Sequence, residues 1–216
     1  MSRPFLWLVK ITGAPVAALC FRTRVHYARG AAHTRRIRGG AVLVCNHTSV
    51  YDYAVLLFVF FTRTLRVLMA EVLFRKRLLG WFLRRMGGIR LDRTCHDFAF
   101  LSEAEAALQH GEVEGVFPEG RLPKEGEQTP LPFQPGAVQL ALQNGVPILP
   151  VYTNGRYFGR HRARVIIGAP MDVCALADPA LPPAENVRKL TELVREEILR
   201  LERELHEQTE MRQKRL

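Results

Sequence analysis

A histidine and an aspartate five positions apart, His47 and Asp52, lie in Val42-Leu43-Val44-Cys45-Asn46-His47-Thr48-Ser49-Val50-Tyr51-Asp52. An imidazole oriented by a carboxylate is a general base able to take a proton from a hydroxyl. Five residues along an α-helix turn the chain by about 500°, roughly 140° off-face, so the two cannot share one side of a straight helix. They meet only if His47 stands on a corner after an apolar strand and Asp52 opens the helix that follows. The same residues also read as a plain helix start, because Ser49-x-x-Asp52 ahead of an apolar run is a capping box. Taken alone they leave both readings open.

Further candidates sit where apolar runs end. Residues 113–117 read as a strand that enters Pro118-Glu119-Gly120-Arg121, and the Pro and Gly force an irregular loop. Loops at the carboxyl ends of strands are where α/β sheets bind ligands. Arg93 closes a turn and short strand, Gly88-Ile89-Arg90-Leu91-Asp92-Arg93, and Pro147 and Pro150 punctuate the apolar run Val146-Pro147-Ile148-Leu149-Pro150. Prolines remove ladder donors, so this strand is expected at an edge, a bulge or a strand end.

The elements that must carry these groups alternate. Strands are expected at 41–45, 65–70, 89–93, 113–117, 146–152 and 165–167. Helices are expected at 53–61, 74–85, 97–110, 136–144 and 186–207, with loops at 124–135 and 175–184. The first loop is polar, proline-rich and placed to act as a lid. This alternation predicts an α/β fold, a single mixed β-sheet flanked by helices. Three parts are expected: a basic, apolar membrane-associating segment at 1–38, the α/β domain at 39–183, and an amphipathic helix and tail at 184–216.

Charge is placed unevenly along the 216 residues. Residues 1–93 hold 17 Lys/Arg against 3 Asp/Glu, and residues 94–216 hold 14 against 18. A basic first half points to an anionic surface as partner. Residues 4–21 are apolar, bordered by Arg3, Arg22 and Arg24, and just long enough to span a bilayer. Lys10 and Pro15 interrupt them, which favours a helix lying in the interface over a buried helix or a true span. Aromatics lie inside apolar runs rather than interleaved with cations, so no nucleic acid is expected. The four cysteines are widely spaced, as free thiols of a cytosolic compartment, and no metal or cofactor is expected. The chain carries no Gly-x-Ser-x-Gly and no nucleotide-binding glycine fingerprint. A non-catalytic basic module binding lipid or nucleic acid is the competing class.

Four blocks stand in order: Asn46-His47-x4-Asp52, Gly88 to Arg93, Phe117-Pro118-Glu119-Gly120 and Val146 to Pro150. Together they resemble the glycerolipid acyltransferase family, in its lysophosphatidic-acid branch, over roughly residues 40–170. The resemblance implies a glycerol-3-phosphate-acyltransferase-like fold. It implies transfer of a fatty acyl group from acyl-CoA or acyl carrier protein to a lysophospholipid hydroxyl at the cytoplasmic face of a membrane, with no cofactor beyond that co-substrate. It makes His47 the general base and Asp52 its orienter. It places Asn46, Arg93, Glu119, Gly120 and Arg121 around the acceptor's phosphate and glycerol, and Pro147 and Pro150 around the acyl or acceptor pocket. The third block departs from the family's usual Phe-Pro-Glu-Gly-Thr-Arg-Ser: Arg121 follows Gly120 directly, then Leu122 and Pro123. Backbone N–H groups at the His47 corner are the expected donors to a developing oxyanion.

Overall fold

The structure, a computed structural model, describes residues 2–31, 34–91, 99–158 and 162–213. Among these, seven strands build one sheet: β1 (Arg24–Tyr27), β2 (Ala41–Cys45), β3 (Leu65–Ala70), β4 (Gly88–Leu91), β5 (Val113–Val116), β6 (Ile148–Thr153) and β7 (Arg164–Ile167). Their spatial order is β1-β7-β6-β2-β5-β3-β4, and every neighbouring pair is parallel except β6 with β7. β2 is fully buried along its length, as its unbroken apolar run requires for a strand covered on both faces.

The helices divide between the two faces. Leu43 and Cys45 of β2 pack with α1 (Arg3–Phe21), α2 (Asp52–Val59) and α3 (Arg77–Met86). Val42 and Val44 pack with α4 (Ala99–Gln109), α5 (Gly136–Asn144) and α7 (Pro183–Gln213). The connection from β2 to β3 moves one way across the sheet and the connection from β5 to β6 moves back. The adjacent carboxyl ends of β2 and β5 therefore form the switch point where open α/β sheets bind ligands. His47 follows β2 and Glu119 follows β5.

Three expectations change. β1 lies inside the segment read as membrane-associating, yet it pairs with β7 at the sheet edge. A short helix, α6 (Val173–Leu176), stands at the start of the expected 175–184 loop, capped by Asp172, whose carboxylate accepts from the backbone N–H groups of Cys174 and Ala175. Of the edge, bulge or strand end expected for the proline-bearing strand, the edge does not hold, since β6 lies between β2 and β7, whereas the prolines do fall at ends, Pro147 just before the strand. β6 tolerates Pro150 because the β6–β7 ladder begins at Val151 opposite Ile167, so the missing N–H falls at the ladder's end. The Pro150 carbonyl still accepts from Gly168 N at 2.9 Å.

α1 lies along the body, held at two polar points. Arg3 pairs with Glu112 at 2.9 Å. Lys10, 1% exposed, donates to the carbonyls of Phe60, Phe61 and Arg63 at 3.2, 2.9 and 2.6 Å. These carbonyls follow directly on the C-terminus of α2, from its C-cap Phe60 onward, where the helix dipole favours a cation. Gly13 lets the two helices approach, since a Cβ there would come within 3.0 Å of the Phe58 ring. The opposite side of α1 exposes Trp7, Leu8, Ile11, Val16 and Leu19.

Candidate active site

The corner after β2 turns through Asn46 to Tyr51 before α2 begins. Asp52, in the first turn of α2 and fully buried, reaches back over it. Its Oδ2 accepts His47 Nδ1–H at 2.9 Å, Thr48 N at 2.7 Å and Ser49 N at 2.9 Å. Its Oδ1 accepts Thr48 Oγ1–H at 3.2 Å and Tyr157 O–H at 2.5 Å. The imidazole–carboxylate reading of this stretch is realised and the capping reading only in part, because the N-cap of α2 is Tyr51 and Ser49 Oγ accepts from Tyr51 N at 3.3 Å. The bond from Ser49 N is the returning half of a capping box, and the same carboxylate orients the imidazole. With Nδ1–H committed to Asp52, Nε2 is the nitrogen free to take a proton. The ring stacks on Phe117 with centroids 4.3 Å apart and planes 21° apart, and its side chain is 21% exposed. A general base held on both sides and open at one edge is what proton abstraction from an incoming hydroxyl requires.

The remaining residues singled out from sequence divide. Glu119, 6% exposed, accepts His47 N with Oε1 and Leu131 N with Oε2, each at 2.8 Å. Burial raises its carboxyl above the usual range, and the two N–H donors oppose that. It braces the corner to the 124–135 loop, and both its oxygens are engaged. Asn46, 2% exposed, donates to Thr153 O at 2.9 Å and accepts Thr153 N at 2.8 Å. Its amide extends the β2–β6 ladder by one imitation peptide, so it faces the strand rather than a ligand. Gly120 is at φ 72 and donates to Phe117 O, closing the turn that aims Glu119.

Arg121 stands at the surface and forms a two-pronged pair with Glu127 at 2.6 and 2.9 Å. Pro147 precedes β6, its carbonyl accepting from Val42 N. That is the opposite end of the sheet from His47, about 16 Å away by strand rise. The Pro150 ring lies toward α7, beside Gly168. Arg93 lies outside the described residues.

The corner N–H groups expected to serve an oxyanion are already used: His47 N by Glu119, Thr48 N and Ser49 N by Asp52. Carboxylates that hold the corner in shape occupy the donors that a substrate would need. Cys45, directly below, is kept protonated by burial and then by the charges of Asp52 and Glu119, which makes it a poor nucleophile.

Sequence reasoning missed Tyr157 and Thr153. Tyr157 reaches Asp52 across 105 positions, and its hydroxyl meets Thr153 Oγ1 at 3.0 Å. Local spacing carries no signal of this contact. Gly155 makes it possible. At φ 63, its Cβ would fall 2.3 Å from Thr48 Oγ1, so only glycine lets this loop close on the corner.

A mixed α/β sheet with a histidine–carboxylate pair at its switch point has the geometry to take a proton from a hydroxyl, and comparison with known proteins gives its class. The family model described as Acyltransferase matches residues 24–154, more than half of the chain, and the chain belongs to this family. A 1-acyl-sn-glycerol-3-phosphate acyltransferase of Bacillus subtilis is 26% identical over 171 residues, 77% of this chain and 83% of that protein. Proteins of the same name from Limnanthes douglasii and Saccharomyces cerevisiae are 32% and 34% identical, over 60% and 51% of this chain. The chain spans 45% and 37% of those two, less than half of either. Among solved structures, the 1-acyl-sn-glycerophosphate (LPA) acyltransferase PlsC from Thermotoga maritima is similar with TM-score 0.63 at 24% identity. The match covers 91% of this chain and 79% of that one, and shows a shared fold.

Proposed function

We propose that this chain moves a fatty acyl group from acyl-CoA or acyl carrier protein to the free hydroxyl of lysophosphatidic acid, giving phosphatidic acid. His47 Nε2 takes the hydroxyl proton as the oxygen attacks the thioester carbonyl. The tetrahedral intermediate then collapses, the C–S bond breaks, and the imidazolium returns its proton to the departing thiolate. Asp52 holds the ring and balances its transient charge. No protein acyl intermediate is required, because a thiolate leaves readily. Arg121, and Arg93 by the family resemblance, are the forks for the acceptor phosphate. The observation that carries this reading is the 2.9 Å bond from His47 to a fully buried Asp52 at the strand switch.

The acceptor is a membrane lipid, and the outer face of α1 continues into α3. Phe5 packs edge-on against Trp81 at 5.6 Å, and Leu78, Trp81 and Phe82 of α3 are exposed beside Arg84 and Arg85. Apolar side chains rimmed by arginine suit a helix pair lying in an anionic, cytosol-facing leaflet. The pinning of Lys10 favours that placement over a span, although α1 is long and apolar enough for one.

The test is thiol release from acyl-CoA with lysophosphatidic acid, with the product identified by mass and a panel of other lysophospholipids run alongside. His47→Ala is expected to lose at least about 10³-fold in kcat. Unchanged turnover in that variant would remove the reading.

A further inference from the structure

The contact of Tyr157 with Asp52 belongs to none of the four sequence blocks. Oδ2 of Asp52 is saturated by three N–H donors, whereas Oδ1 depends on hydroxyls, and the shorter of its two bonds comes from Tyr157. An ionised carboxylate only accepts, so the single phenolic proton must point at Oδ1. Thr153 must then donate to the Tyr157 oxygen, and Gly155 N–H donates to Thr153 Oγ1 at 3.4 Å. Every bond in this chain runs toward the carboxylate, which strengthens each in turn. Both ends are anchored independently of the His–Asp pair. The Asn46 amide holds the Thr153 backbone, and the Tyr157 ring packs edge-on against Phe21, the last residue of α1, at 5.7 Å. Burial and Asp52 together oppose loss of the phenolic proton, so Tyr157 is not itself a proton donor to the leaving group.

We propose that Tyr157 is a positioning residue for the catalytic pair: its hydroxyl fixes the second oxygen of Asp52, setting both the angle and the strength with which that carboxylate holds His47. The proposal rests on the His47–Asp52 reading above. Among the described residues, the ionisable groups facing this carboxylate are His47 on the corner, Cys45 of β2, Glu119 after β5 and Tyr157 after β6. Removing the phenol leaves Oδ1 with one long hydroxyl bond. The charge then concentrates on Asp52, and the imidazolium is held more tightly but less well aimed.

The experiment measures thiol release from acyl-CoA with lysophosphatidic acid across pH for the full chain, Tyr157→Phe and Thr153→Val, with thermal unfolding of each. Tyr157→Phe keeps the ring on Phe21 and is expected to lower kcat about ten- to thirty-fold with KM unchanged. The acid limb of its kcat profile should move to higher pH. Thr153→Val should move both readouts in the same direction by less, about two- to five-fold in kcat. A kcat within twofold of the unsubstituted chain and an unmoved limb in folded Tyr157→Phe would overturn the proposal, whatever its unfolding temperature. Should that variant not fold, an unmoved limb in Thr153→Val does the same. His47→Ala run alongside separates the two ideas. Full turnover in His47→Ala removes the underlying reading, whereas its inactivity beside an unaffected Tyr157→Phe removes only this one.

Discussion

Asp52→Asn isolates charge from geometry at the site. The two oxygens of Asp52 see different surroundings, and this decides how an amide would sit. At Oδ2 three N–H groups converge, so an NH2 there would face three donors at 2.7–2.9 Å. At Oδ1 the partners are the hydroxyls of Thr48 and Tyr157, which can turn to accept. The amide oxygen should therefore occupy the Oδ2 position, and His47 should keep its tautomer and orientation. What disappears is the negative charge beside the imidazolium. With charge centres about 4 Å apart and an effective dielectric of about 20, the lost attraction is about 4 kcal/mol. The amide dipole recovers part of it, leaving an expected fall of about 10²- to 10³-fold in kcat. Stability should change by no more than about 2 kcal/mol, because weaker hydrogen bonds are offset by no longer burying a charge. That is a shift of about 4–8 °C in unfolding temperature for a chain of this size. The assay is thiol release from acyl-CoA in the presence of lysophosphatidic acid, with thermal unfolding measured on the same preparation. A folded variant keeping more than about a third of the original kcat would refute the electrostatic role, and a variant that cannot fold would refute the argument about amide placement.

Other perturbations follow from the same packing. Lys10→Met leaves three carbonyls at the end of α2 without their cation. It should cost about 3 kcal/mol, seen as a fall of about 6–12 °C in calorimetry. Glu127→Gln should free the Arg121 fork and lower KM for the phosphate-bearing acceptor several-fold, with the unfolding temperature nearly unchanged because the pair is exposed. Arg121 holds the Glu127 carboxyl down to about 2, so the pair persists across any working pH, and the effect should not depend on pH. Glu114, buried in β5 with neither oxygen hydrogen-bonded among the described residues, has its carboxyl raised well above the usual range by burial. A raised folded-state value means stability is fullest below the unfolded value, near 4.5, and is lost as pH rises toward the folded one. Glu114→Gln should therefore raise the unfolding temperature more at pH 8 than at pH 5, and an equal change at both would count against the argument.

Local sequence was legible wherever a short apolar run ended in a polar corner. β2, β3 and α5 begin and end where their residues indicate, because β2 is apolar throughout, β3 is nearly so, and α5 repeats at helical spacing before Asn144-Gly145. The His47–Asp52 pairing was also legible, since five residues with a corner between them leave few other geometries. What a buried polar residue does was not. Asn46 and Glu119 read as groups for a ligand, but tertiary contacts spend them on Thr153, His47 and Leu131, between 12 and 107 positions away. Polar residues at strand ends must satisfy either substrate or backbone, and only the packing of neighbouring strands decides which. β1 escaped notice because four half-buried residues at an edge have no periodicity to read. The interior place of β6 depended on where a partner strand happened to stop. Residue types and spacing thus determined that an imidazole meets a carboxylate at this corner, whereas the fold decided, through hydrogen bonds spanning half the chain, what holds the pair still.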